Sequence, residues 1–328
     1  MKTFPCRTAG QLENVTATAP CRTATTIAGL KSATRAPTAH ERRQHMNGDS
    51  THGHHRLIVE LGNGEADART LRAVAEMAAL FHWDLHGLFV ENEALLGLAE
   101  LPFVRELRLP GYEWQKIEAD RIATELRGEA ADAQRLLRDV GAATGVPCAF
   151  EVRRGDPADE IAAIALATDV LVVATPTSAV ARLAHGTRRT QATARQPAAS
   201  LLLLPQPSPR RAGPVAALVT NSDDPALAVA ALAAANTHEH LLLLLPAGDM
   251  ALAEAAVQRA VLLGVPKTRV TTCTLGALGP EDVLHAMVYA QERMLVLTRN
   301  ASSSGELVAA SRIASEDAVA VLLLAPSS

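Results

Sequence analysis

One pattern constrains this chain more than any other: short apolar runs alternate with amphipathic stretches, and the whole order occurs twice. In the first pass the runs are 56–61 (RLIVEL), 85–91 (LHGLFVE), 148–153 (CAFEVR), 169–174 (DVLVVA) and 199–204 (ASLLLL). In the second they are 215–220, 240–245, 268–274, 293–298 and 319–324. Runs of this length, separated by helical periodicity, predict parallel strands covered by helices on both faces. Residues 169–173 (DVLVV) answer 293–297 (RMLVL), and the runs ending at Pro205 and Pro326 answer each other, so the chain reads as an internal duplication. The expected fold is α/β: two tandem five-stranded parallel-sheet sandwiches, Rossmann-like in layering.

The predicted boundaries are a first domain at 56–205, a Pro-rich linker at 206–213 and a second domain at 214–328. Residues 113–140 read as one long helix with the stripe Ile122, Leu126, Ala130, Ala133, Leu137 and Val140. Gly155-Asp156-Pro157 reads as a helix start, with Asp156 as cap and Pro157 where its missing donor costs nothing. Gly279-Pro280 reads the same way.

Residues 1–55 follow another logic. They hold seven Lys/Arg, three Asp/Glu and little periodicity, a net +4; the remaining chain carries -8, against -4 overall. Such a stretch buries too little apolar surface to offset its ordering entropy. Three readings stay open: a disordered tail, a basic leader, or translated upstream sequence with Met46 as the start. His52, His54 and His55 lack rigid acidic or thiol neighbours, and no metal is expected there.

Composition removes several function classes. The chain is 48% hydrophobic but 3% aromatic, unlike a protein that stacks bases. Net charge -4 gives no general attraction to nucleic acid or anionic membrane. No apolar run nears the roughly 20 residues of a membrane span, and four cysteines form no disulfide framework. A cytoplasmic protein is expected, with Cys148 and Cys273 as small buried thiols. No G-x-S-x-G, Walker loop, H-E-x-x-H or C-x-x-C occurs. His185 with Asp169, or His285 with Glu281 and Asp282, would be the acid–base pairs to test, and neither is expected to be catalytic.

The helix start GDPADEI (155–161), the strand DVLVVA (169–174) and the closing LLLLP (201–205) resemble the universal stress protein family. The likeness is strongest over 56–205. It implies a five-stranded sheet per repeat, pairing through the last strand, hence a dimer, and ATP or AMP at the carboxyl ends of the first and fourth strands. The family's nucleotide-binding branch carries an Asp after the first strand and a G-x2-G-x9-G-[ST] loop after the fourth.

This sequence departs from that pattern. Gly62 stands at the Asp position, followed by Asn63 and Gly64; Ala174 and Thr177 replace the leading loop glycines, and Pro176 removes a donor. Gly186-Thr187 arrives one residue early for the closing pair, while Arg182, Arg188 and Arg189 offer charge. The residues expected to hold a nucleotide, if one binds, are Gly62, Asn63, Gly64, Thr175, Thr177, Gly186 and Thr187. In the second repeat Asn221 takes the Asp position and the loop 299–305 is short. The expectation is a non-enzymatic binding or regulatory module with no resident cofactor; the alternative is an ATP- or AMP-binding protein using its first repeat.

An insertion at about 92–112 has no counterpart in the second repeat. Leu95, Leu96, Leu98, Leu101, Phe103, Val104, Leu107 and Leu109 make it either a lid over the sheet's carboxyl edge or a partner surface at Leu101–Trp114.

Overall fold

In the computed structural model, the described residues are 56–62, 68–101, 103–108, 111, 113–116, 118–174, 199–205, 209–287, 291–299 and 304–325. Residues 1–55, for which a disordered tail, a basic leader or a start at Met46 is expected, lie outside them. The strands are β1 (Arg56–Glu60), β2 (Asp84–Asn92), β3 (Arg105–Arg108), β4 (Glu113–Lys116), β5 (Cys148–Gly155), β6 (Val170–Ala174), β7 (Ser200–Leu204), β8 (Val215–Leu218), β9 (Leu241–Pro246), β10 (Val270–Leu275), β11 (Met294–Thr298) and β12 (Ala320–Leu324). The helices are α1 (Ala68–Phe81), α2 (Glu93–Glu100), α3 (Ala119–Thr144), α4 (Pro157–Ile164), α5 (Pro225–Thr237), α6 (Met250–Leu262), α7 (Pro280–Met287) and α8 (Ser304–Asp317).

The repeated β-α order is present in both halves, and the two five-stranded sheets are joined edge to edge. The single sheet runs β10-β9-β8-β11-β12-β7-β6-β1-β2-β5. Every neighbouring pair is parallel except β7 and β12, which run antiparallel with Leu202 opposite Leu322. Leu202 sits two residues beyond the partner of Val170, as Leu322 sits two beyond the partner of Met294. Equivalent residues therefore face each other, and the halves are related by an approximate two-fold axis through this pair.

Strand composition follows position in the sheet. The inner strands β7, β9 and β12, each paired on both sides, are buried almost throughout and read as Leu and Val runs. The outer β5 and β10 are half exposed and mixed. Here the reading of the cysteines is corrected. Cys148 is exposed and Cys273 half-buried, because each lies on an edge strand with a neighbour on one side only. The Cys148 thiol still turns inward, donating to Val146 O at 3.3 Å, and burial of that atom raises its pKa.

One apolar layer runs unbroken through both halves, from Leu71, Val74 and Ala78 of α1 to Leu227, Ala230 and Ala234 of α5 and Ala256 of α6. Small side chains let these helices lie close to the sheet. The opposite face is covered in two patches, one including Val283 of α7 and Ala310 and Ile313 of α8, the other with Ile161 and Ile164 of α4 packed against it. Asp156 caps α4 through Ala158 N and Asp159 N, with Pro157 in the first turn. At the end of the linker Gly213 has φ 125°, and an added Cβ would meet Gln291 O at 2.4 Å, so only glycine fits.

The long helix is corrected at its start. Residues 113–116 are strand β4, paired with β3 as a hairpin, and helix α3 begins at Ala119. Arg121 of α3 ties the hairpin down through Glu106 at 2.5 Å. The hairpin offers its residues a cross-strand partner, Trp114 opposite Leu107, that a helical path would not.

Candidate functional site

In an open α/β sheet, ligands bind where successive connections leave in opposite directions. That point lies between β1 and β6 in the first half and between β8 and β11 in the second. The two crevices are built differently.

The first opens at the carboxyl end of β1. Of the seven residues expected to hold a nucleotide, Gly62 is described; Asn63, Gly64, Thr175, Thr177, Gly186 and Thr187 lie outside the described residues, as do Arg182, His185, Arg188 and Arg189. A Cβ added at Gly62 would lie 3.8 Å from Val90 O and 3.9 Å from Glu60 Oε1, which is ordinary contact. The protein's own packing does not require glycine at 62.

The second crevice holds a carboxylate of its own. Asp224, 1% exposed, caps α5 at the point where an anion would sit on the helix N-terminus. Its Oδ2 accepts from Thr220 N at 3.0 Å and Thr220 Oγ1 at 3.1 Å. Its Oδ1 accepts from Ala226 N at 3.0 Å and from Thr298 Oγ1, on β11, at 2.5 Å. Four donors converge on one buried carboxylate and bridge the two strands of the switch point. Asn221, at the Asp position of the family, turns to Asp223 N instead, at 3.0 Å. Arg259 of α6 closes the rim through Ser222 O and Asp223 Oδ1. Sequence reasoning singled out Asn221 and passed over Asp224. The signal was the Asp-Pro pair at 224–225, the same helix-start signature as Asp156-Pro157.

The imagined acid–base groups are engaged elsewhere. Asp169, 1% exposed, is held by Arg56 through Nε at 3.0 Å and Nη2 at 2.6 Å, and accepts from Leu166 N. Glu281 pairs with Arg312 of α8, and His285 is exposed on α7. Among the described residues, His86 is a buried histidine, 3.4 Å from Glu151. Burial, then the charge of Arg56, lowers its pKa, so the ring is neutral at pH 7. Hydrogen bonding to Arg153 holds the Glu151 carboxyl below its ordinary value. No group of three or more His, Cys, Asp or Glu among the described residues is placed to hold a metal ion, and no described helix is long and apolar enough to cross a membrane.

Much of the insertion's apolar surface is exposed, while Leu96 and Val104 are half-buried and Ala99 is buried. Phe103 is 76% exposed and Trp114 64%, and Leu95, Leu98, Leu101 and Leu107 are also open to solvent. Leu109 and Tyr112 lie outside the described residues.

No family model matches the chain, and no curated protein matches it. Solved structures do. A universal stress protein from Archaeoglobus fulgidus DSM 4304 aligns at 12% identity over 82% of this chain and 95% of its own, with a TM-score of 0.58. A functionally unknown protein from Pseudomonas aeruginosa PAO1 aligns at 13% identity over 83% and 92%, TM-score 0.48. The cytoplasmic domain of a prokaryotic cation chloride cotransporter aligns at 12% identity over 82% and 95%, TM-score 0.46. Strand order, layering and the Archaeoglobus likeness together give this chain the universal stress protein fold.

Proposed function

We propose that this chain is a non-enzymatic binding or regulatory module of the universal stress protein type. The observation that supports it most is Asp224. A crevice whose anion position already holds a buried, four-fold hydrogen-bonded carboxylate repels a phosphate by charge and occupies the Thr220, Ala226 and Thr298 donors that would bind it. The second half then serves as a structural partner of the first. The exposed insertion supplies a contact surface at Leu101–Trp114, where Phe103 and Trp114 are the natural anchors for a protein partner.

A second reading keeps ATP or AMP in the first half, through Gly62, Asn63, Gly64, Thr175, Thr177, Gly186 and Thr187. The room beside Gly62 favours it, since no described side chain fills that position. Titration calorimetry of the full chain with ATP and AMP, with and without magnesium, separates the two. The regulatory reading expects no saturable binding at millimolar nucleotide. Micromolar binding, abolished by Gly186→Val, would establish the second reading and overturn the first.

A further inference from the structure

A cavity of about 360 Å³ opens at the seam between the halves, where the C-terminal turns of α1 and α5 approach each other. It is separate from both switch-point crevices. Ala79 and Leu80 of α1 give it an apolar wall, and Asn236 and Thr237 of α5 a polar one. Both polar side chains are already committed, Asn236 donating to Leu80 O and Thr237 to Ala233 O. Glu76 and His82 stand at the rim, with Glu76 paired to Arg211 of the linker.

The remaining lining residue is Arg293, and it is the unusual one. It is 9% exposed, its Nε is fully buried without a partner, and its guanidinium makes no hydrogen bond among the described residues. Glu239 and Glu76 attract it without bonding it, each being engaged elsewhere: Glu239 accepts from Gly213 N, and Glu76 from Arg211. Burial lowers its pKa below the ordinary arginine value. A buried guanidinium with no bonded partner is a costly arrangement for a fold to keep. Here it borders a space large enough for a small ligand.

We propose that this seam cavity binds a small monocarboxylate with a short apolar chain. The planar guanidinium matches a carboxylate in bidentate geometry, and Ala79 and Leu80 accept the hydrocarbon. Glu76 in the lining repels a phosphate dianion more strongly than a monoanion, and the single guanidinium matches one negative charge. Such a ligand would touch both halves and tighten their seam.

The test is titration calorimetry of the full chain with sodium hexanoate, alongside its thermal midpoint. The expected result is saturable one-to-one binding and a midpoint that rises with hexanoate concentration. Arg293→Met is expected to weaken binding at least about tenfold, a difference of about 1.4 kcal/mol. Ala79→Phe fills the cavity while leaving the charge in place and is expected to abolish binding; it decides the matter if Arg293→Met does not fold. Absence of saturable binding up to about 50 mM, far weaker than the 1 mM reference affinity, would overturn the proposal. So would unchanged binding in either folded variant, or phosphate competing as well as hexanoate.

Discussion

Glu292 precedes Arg293 in the chain yet meets different surroundings. It is 1% exposed, and its Oε1 is buried with no hydrogen-bond partner. Burial raises its pKa above the ordinary carboxylate value; the nearby Asp317 adds to the rise, while the Arg210 charge opposes it. Between the unfolded and folded pKa values the folded state holds a proton that the unfolded chain has released, and above the folded value it buries a charge. Stability from this group is fully present below the unfolded pKa and is lost as pH rises through the folded one. Glu292→Gln removes the buried charge and keeps the shape. It is expected to raise stability at pH 7 by on the order of 1 kcal/mol and to flatten the decline between acid and neutral pH. Urea denaturation across pH 4.5–8 reads both effects, and equal destabilisation of the variant at every pH would contradict this account. Neither Glu292 nor Arg293 was legible as special in sequence. Their burial comes from packing around the seam and linker, which no local pattern records.

At the scale of elements, the sequence showed most where chemistry is local. Asp156-Pro157 and Asp224-Pro225 begin helices because a carboxylate satisfies the free amides and proline needs no partner. The β3–β4 hairpin is not legible locally, because EWQK has no strong period of its own and the Ile122 stripe extends backwards over it. Pro110-Gly111, between the two strands, was the turn signal that would have found it. The exposure of Cys148 and Cys273 needed strand order, a non-local property. Asp224 also permits a test at this scale. Asp224→Ala orphans the Thr220 and Ala226 amides and loosens the Thr220–Thr298 bridge between β8 and β11, and should cost about 2–4 kcal/mol. Asp224→Asn retains part of the capping and should cost less. If the slot is an anion site filled from within, phosphate should stabilise Asp224→Ala more than the parent chain. Chemical denaturation with and without phosphate measures all three, and an unchanged midpoint for Asp224→Ala would remove its assigned role.

At the scale of the molecule, duplication and layering were readable from alternation and matched runs, but the joining of the halves was not. The resemblance implied pairing between copies through the last strand. Here β7 and β12 use that edge within one chain, so a dimer would have to form through other surfaces, such as the insertion or the outer strands β5 and β10. Several bonds reinforce the join. Ala325 N donates to Ser200 Oγ at 3.0 Å, Arg299 to Ala199 O at 3.1 Å, and Asn236 to Leu80 O at 2.9 Å. The apolar layer under α1 and α5 is common to both halves, so exposing one half exposes core of the other. This predicts that the two halves unfold together, with calorimetric and van't Hoff enthalpies in agreement. Leu202→Ala and Leu322→Ala, at the pseudo-symmetric pair, should each lower stability by about 2–5 kcal/mol without splitting the transition. Two resolved transitions, with Leu322→Ala shifting one of them alone, would mean that the shared layer does not couple the halves and that each stands as a sandwich of its own.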